Sequence, residues 1–353
     1  MFLQPLLCVQ SSPMIGAVDL FCGAGGLSLG LQWQGIRIAG GIDLDSACRY
    51  PYEHGVKAPF FEKDIKLIRG DEIKKLYRSD EISLLAGCAP CQPFSRYNAR
   101  FELDETKWSL LFEFLRLIQE VNPDLILMEN VPDLARLDIW NKFTSVLSND
   151  GYHISFEAID AVDYGVAQNR RRLVLLGSRL GKIDLPLKKI SHSTVRTTIG
   201  HLPPIEAGTC HKEDRFHVSR RLMPINLRRI KASLPGGSWK AWPDKLQADC
   251  HRSKKGRTYG SVYGRMSWDQ ASPTITTQFY GFGNGRFGHP EQDRALSLRE
   301  GALLQSFPAD YQFIAENERM SIRTVGRLIG NAVPPILGSA IGSAIIDHVF
   351  KTK

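Results

Sequence analysis

The sequence predicts an α/β fold: a doubly wound sheet, then a smaller, irregular and mainly β region, then C-terminal helices returning to the first body. Three observations carry this. Short apolar runs alternate with helical patterns through the first half, the mark of βαβ units in a parallel sheet. Near Arg179 that alternation dissolves into Pro, Gly, Ser and basic residues. Helical periodicity returns at Ser297–Gln305 and from Ile322 to Val349. The expected divisions are 1–14, an N-terminal extension ending at Met14; 15–178, the sheet domain; 179–291, the irregular domain; and 292–353, the helices completing the first domain.

Taken in order, Ala17–Phe21 reads as a strand and Leu27–Trp33 as the opening of a helix. Ile36–Ile42 is a second strand ended by Asp43, a helix follows from about Ser46, and Asp64–Ile65 closes a short third strand. Ile82–Ala86 is a strand running into a Gly/Pro-rich turn, and 107–121 is an amphipathic helix. Pro123 and Glu129–Asn130 bound the strand Asp124–Met128, and Ile154–Ala161 and Leu173–Gly177 complete the set. In the irregular region, Thr274–Thr277 is the most strand-like run.

The 353 residues carry a formal charge of +8, with 43% hydrophobic and 23% charged residues, the balance of an ordinary globular protein. Between Arg179 and Arg257 stand eighteen Lys/Arg against six Asp/Glu, so this segment holds the whole positive excess and the remainder is net acidic. Charge concentrated this way is the footprint expected for a nucleic-acid partner. No run is read as a membrane span, and the apolar start lacks the basic segment and cleavage site of a signal peptide. Seven cysteines, an odd number without an export signal, fit a reducing cytoplasm. Cys210–His211 and Cys250–His251 match no zinc-site spacing, so no metal is expected.

Cys88-Ala-Pro-Cys91 sits at the turn after Ile82–Ala86, beyond the carboxyl end of a strand, where α/β proteins place chemistry. The pair alone admits three readings: a nucleophilic thiol, a redox dithiol or two buried small residues. A second loop, Asp19-Leu-Phe-Cys-Gly-Ala-Gly-Gly26, joins a strand to a helix. It has Ser28 where a dinucleotide loop has its third glycine, and no Lys-Ser/Thr follows as in a P-loop. Asp43 at the end of the second strand is placed to accept ribose hydroxyls. A nucleoside cofactor without pyrophosphate fits best, and S-adenosylmethionine is such a cofactor.

With these pieces assembled, the chain resembles the DNA cytosine-5 methyltransferases of prokaryotic or phage restriction-modification type, from Ala17 to the last helix. The matching motifs fall in family order: Asp19–Gly26; the strand-end acids Asp43 and Asp64; Pro90-Cys91-Gln92-Pro93-Phe94-Ser95; Glu129-Asn130-Val131; Gln168-Asn-Arg170-Arg-Arg172; Arg299-Glu300 through Gln305-Ser-Phe-Pro308; and Gly330-Asn331-Ala332-Val333. The resemblance implies a Rossmann-like methyltransferase sheet and transfer of a methyl group from S-adenosylmethionine, leaving S-adenosylhomocysteine, to cytosine C5 in double-stranded DNA.

In that chemistry Cys91 is the thiolate that adds to C6, and Glu129 is the carboxylic acid that protonates or hydrogen-bonds N3. Asn130 holds the loop. Arg170 contacts the base O2 or its phosphate, and Arg172 orients the Glu and Arg side chains. The cofactor would lie against Asp19, Phe21, Gly23, Gly25, Gly26, Leu27, Asp43, Leu44, Asp64, Ile65, Asn331 and Val333. Gln92, Ser95 and Thr274 would contact DNA, and 179–291 would be the target-recognition domain. The base must be flipped from the duplex, since C6 is unreachable within it.

Cys22 and Cys88 read as packing, and Arg171 as a surface or phosphate contact. The alternative activity is methylation of tRNA cytosine. A non-catalytic DNA-binding relative is disfavoured by the intact Cys91, Glu129, Arg170 and Arg172. A cognate restriction endonuclease acting separately is an allowed partner, and the protein is expected to be a monomer.

Overall fold

Continuous apolar runs build the sheet that carries the site. The computed structural model describes residues 14–90, 109–188, 193–254 and 256–352. Its seven strands are β1 (Ile15–Leu20), β2 (Arg37–Asp43), β3 (Phe60–Glu62), β4 (Ile82–Gly87), β5 (Leu125–Asn130), β6 (His153–Asp160) and β7 (Arg171–Ser178), ordered β3-β2-β1-β4-β5-β7-β6. Central β1 and β5 are buried along their whole length, as strands covered on both faces must be. The α/β class and doubly wound order agree with the sequence reading.

The sheet is mixed, however, rather than wholly parallel. β7 runs antiparallel to both β5 and β6. The cause is the connection: only residues 161–170 join β6 to β7, with one short turn (Ala161–Tyr164), too little chain for a helical crossover.

Helices pack on both faces. α1 (Gly26–Gln32) follows β1, short α2 (Arg49–Pro51) and α3 (Gly70–Lys74) follow β2 and β3, and α4 (Ser109–Val121) precedes β5. α4 buries Leu111, Phe114, Leu117, Ile118 and Val121 on one stripe. It stops where Asn122 turns left-handed (φ 53°) ahead of Pro123. α5 (Asp138–Asn149) covers β6 with Trp140 and Phe143. The helix expected from Ser46 is instead a broken series: a tight turn at Ser46–Cys48, α2, and a wide π turn at Tyr52–Val56 ended by left-handed Lys57.

The second region departs from its expected β character. Its described residues form α6 (Val195–Ile199), α7 (Pro224–Lys231) and α8 (Asp249–Arg252), short tight turns and isolated bridges, with no strand in the sheet. Thr274–Thr277 is irregular; the Ile275 amide donates to the Gln168 side chain (2.9 Å) rather than to a neighbouring strand. Glycines at 281, 283, 285 and 288 weaken any ladder there. Its interior is an aromatic cluster of Trp239, Trp242 and Phe282 with His251 stacked on Trp239 at 4.2 Å.

The chain then returns to the sheet through α9 (Leu298–Leu304), α10 (Ile322–Asn331) and α11 (Pro335–Thr352). A Ser297/Glu300 capping box starts α9. The stretch expected to be helical from Ile322 to Val349 is divided at Pro334–Pro335. By length and composition Ile322–Thr352 is apolar enough for a membrane span, contrary to the sequence reading. Its most apolar window is 67% buried, so that surface is spent on the core. α11 lies so close to α1 that a Cβ on Gly30 would stand 2.2 Å from the Pro335 carbonyl oxygen.

Candidate active site

The carboxyl ends of β1, β2, β4 and β5 converge on one cavity of about 670 Å³. That is the size of a small-molecule pocket. β7 contributes because it is antiparallel: Asn130 pairs with Leu173 and Glu129 with Val174, so the start of β7 stands at the same edge as the end of β5. Arg172 is thereby brought to Glu129, and its Nε lies 3.0 Å from Oε1. No hydrogen bond reaches that oxygen, so the contact is an ion pair rather than a directed bond.

At the other end, the glycine loop passes through left-handed backbone at Phe21 (φ 58°), Gly23 (53°) and Gly25 (81°). For a bulky residue such as Phe21 this costs ~1–3 kcal/mol, a strain typical of ligand sites. The Gly23 amide donates to Asp43 Oδ2 and the Asp45 amide to Oδ1, both at 2.9 Å. Asp43 is thus fixed at the cavity wall, and each oxygen keeps a lone pair for a ligand. Burial pushes its carboxyl upward despite those two bonds. Asp19 is more extreme: burial raises it to about 7, and Oδ1 has no hydrogen-bond partner. An orphaned buried carboxylate oxygen on a cavity wall, beside loop backbone open at Gly23, suits a ligand carrying hydroxyls and a cation.

Two glutamines hold the halves together. Gln168 Nε2 donates to Gln305 Oε1 (2.8 Å) and the Leu304 carbonyl (3.0 Å). Gln305 Nε2 donates to the carbonyls of Ile329 (2.7 Å) and Ala332 (3.1 Å). Arg170, 3% exposed, donates to Ile275, Gly330 and Ala332 carbonyls. Burial and the neighbouring Arg172 lower its guanidinium to about 9. Asn130 Nδ2 donates to the Ala89 carbonyl at 3.0 Å, which pins the chain just ahead of Pro90.

The model of the C-5 cytosine-specific DNA methylases matches residues 15–347. The chain belongs to that family. Among its relatives, the type II methylase M.HgiDII of Herpetosiphon aurantiacus is 49% identical, over 94% of this chain and 95% of that one. The type II methyltransferase M.PspPI of Psychrobacter sp. (strain TA137) is 31% identical over 96% and 81%. In fold, a DNA modification methyltransferase encoded within an E. coli prophage matches with a TM-score of 0.74 at 22% identity, covering 95% of this chain and 99% of that one. The Entamoeba histolytica methyltransferase EhMeth matches with a TM-score of 0.62 at 14% identity, over 95% and 99%. The protein is a DNA (cytosine-5-)-methyltransferase of the type II restriction-modification group, and the tRNA alternative is not favoured.

Of the residues expected in this methylase's site, Asp19, Phe21, Gly23, Leu27, Asp43, Leu44, Asp64, Ile65, Glu129, Arg170, Arg172, Thr274, Asn331 and Val333 all line the cavity. Gly25 and Gly26 do not. Gly25 precedes α1, and a Cβ on Gly26 would lie 2.1 Å from the Val333 carbonyl oxygen, so the chain packs closely there. The Thr274 hydroxyl donates to the Asn169 carbonyl at 2.7 Å. Cys91, Gln92 and Ser95 lie outside the described residues.

Cys88 packs against the core and also lines the cavity, where burial pushes its thiol well above the usual range. Sequence reasoning also missed the ion pair between Arg327 and Asp45, both on the cavity wall. The Asp43-x-Asp45 spacing was visible, but nothing in α10 marked which polar residue faces inward.

Proposed function

We propose that this methylase moves a methyl group from S-adenosylmethionine to C5 of a cytosine flipped out of double-stranded DNA, through a Cys91–C6 adduct. One observation carries the reading. A single cavity is lined both by Asp19, Phe21, Asp43 and Asp64 and by Glu129 and Arg172. Pro90, the residue before Cys91, lines the same cavity.

The cofactor residues fit the group. Asp43 and Asp64, both on the cavity wall, would hold the ribose hydroxyls and the adenine edge, and Phe21 and Ile65 would supply apolar surface for the ring. S-adenosylmethionine, when bound, supplies an electrophilic methyl on a sulfonium. Cys91 would add as thiolate to C6, moving the C5–C6 electron pair to C5; C5 would then take the methyl as its bond to sulfur breaks, releasing S-adenosylhomocysteine. Loss of the C5 proton to a base then returns the pair and expels the thiolate. Glu129 meets the N3 edge of the base. Arg172 is better placed than Arg170 for the base, since Arg170's terminal nitrogens are committed to three carbonyls. Arg170 then acts as the clamp between the 275 loop and the Gly330–Ala332 turn.

The basic second region would anchor the duplex. Exposed Arg220, Arg221, Arg228 and Lys231 on and before α7 are its phosphate contacts. Bisulfite sequencing of DNA from cells making the protein tests the reading, with 5-methylcytosine at one recurring site expected. Unmodified DNA beside methylated tRNA would sink it. DNA containing 5-fluorocytosine should trap a covalent complex, and trapping that survives Cys91→Ala would remove Cys91 as nucleophile.

A further inference from the structure

Asp19 is 1% exposed, and only half of its carboxylate is accounted for within the protein. Oδ2 accepts the Ser28 hydroxyl at 2.6 Å, while Oδ1 faces no donor. Ser28 Oγ lies 2.8 Å from the Tyr52 hydroxyl. Because Ser28 has one proton and gives it to Asp19, the direction is fixed: Tyr52 donates to Ser28, and Ser28 donates to Asp19. Neither Ser28 nor Tyr52 lines the cavity. Both stand behind the carboxylate.

Tyr52 is held in turn. It opens the π turn Tyr52–Val56, a backbone form that is rare and recurs at functional sites. Its ring fills the space a side chain would need at Gly41, whose Cβ would lie 2.2 Å from it, and it packs at 6.0 Å against Phe60. The hydroxyl therefore cannot drift from Ser28. The titratable groups acting on Asp19 are Asp43 from β2, Cys22 from the glycine loop, Cys88 beyond β4, and Tyr52 itself. None is basic. A buried carboxylate without a counter-ion is costly unless a ligand supplies one.

We propose that Tyr52, acting through Ser28, is a positioning residue that aims the free oxygen of Asp19 at the cationic centre of the cofactor, its ammonium or its sulfonium. The inference rests on the cofactor reading above and extends it to two residues outside the cavity. Removing the Tyr52 hydroxyl leaves Ser28 free to turn away, so Asp19 is less firmly held and its proton is lost at higher pH.

Calorimetric titration of wild type, Tyr52→Phe, Ser28→Ala and Asp19→Asn with S-adenosylmethionine and S-adenosylhomocysteine tests this, in buffers of different ionisation enthalpy around pH 7. Wild type should release protons on binding, because the incoming cation ionises Asp19. Tyr52→Phe and Ser28→Ala should each weaken S-adenosylmethionine roughly tenfold and move proton release to higher pH, with melting temperature near wild type. Asp19→Asn should abolish the release. Equal losses for both ligands identify the ammonium, and a loss confined to S-adenosylmethionine identifies the sulfonium. Wild-type affinity and proton release in Tyr52→Phe and in Ser28→Ala would overturn the positioning role alone. Absence of S-adenosylmethionine binding by wild type would overturn the cofactor reading and this inference with it.

Discussion

The sheet body and the second region satisfy their backbones with a different mix of partners. In the body, carbonyls and amides pair along ladders and helices, and the core between them is apolar, with Leu84, Leu125 and Leu127 fully buried. In the second region, short helices, turns and isolated bridges pair much of the backbone, and arginine and histidine side chains satisfy further carbonyls. Arg265 alone donates to the carbonyls of Ile230, Ser233, His289 and Gln292 and pairs with Asp293. Arg215 donates to Ala315, Glu316 and Glu318, and His217 contacts the Pro203 carbonyl. Arg229 donates to Leu246 and lies over the rings of Trp242 and Tyr263. The comparison teaches that a basic segment is not all interface. Part of its charge is internal scaffolding, needed because a chain without strands still has buried carbonyls to satisfy.

The strongest way to break this contrast is Arg265→Leu. It leaves four carbonyls short of a donor, and each buried acceptor left unsatisfied costs ~1–3 kcal/mol. Limited proteolysis should cut the second region of the variant while the sheet body resists. A variant that melts and digests like wild type would refute the scaffolding role.

The body has its own exception in Asp19, a buried acid amid apolar neighbours. With its carboxyl raised to about 7 against 3.8 in an unfolded chain, the folded apoprotein holds a proton that the unfolded chain has released between those values. Stability from this group is therefore full below about pH 4 and falls as pH rises to about 7, by at most about 4 kcal/mol. Asp19→Asn cannot ionise. Denaturant melts of the apoprotein at pH 5 and pH 8 should show a smaller drop in the variant than in wild type, and an equal drop would place the carboxyl near its ordinary value. A smaller effect sharpens the packing side: Gly30→Ala drives a Cβ into the Pro335 carbonyl and should cost ~1–3 kcal/mol, read as a lower denaturant midpoint.

The same contrast explains what was legible in the sequence. Period and burial agree in the body, so Leu125–Met128 and the stripe of α4 announced themselves, and strand ends placed Asp43 and Glu129. β7 was readable as a strand but not as antiparallel, because direction depends on the ten residues between it and β6. Thr274–Thr277 looked like a strand because β-branched residues favour one. Its partner proved to be the Gln168 side chain, a contact more than a hundred residues distant that no local pattern encodes. Tyr52 was invisible for a similar reason: its meaning comes from a hydroxyl meeting Ser28 across the fold.

If some arginines are scaffold, others must be interface, and this is the finest test of the comparison. Arg228 and Lys231 project from α7 as exposed residues, whereas Arg229 between them is tied to Leu246 and two rings. Arg228→Ala and Lys231→Ala should leave stability within about 0.5 kcal/mol of wild type, as for surface positions generally. Each should weaken DNA binding evenly across sequences and reduce the salt slope of log K by about one. Arg229→Ala should do the reverse, lowering the melting temperature of the second region first. Fluorescence anisotropy with a short duplex at several salt concentrations, beside thermal melts, separates the two classes. If Arg229→Ala alters only the salt slope while Arg228→Ala alters only the melt, the division between scaffold and interface is drawn through the wrong residues.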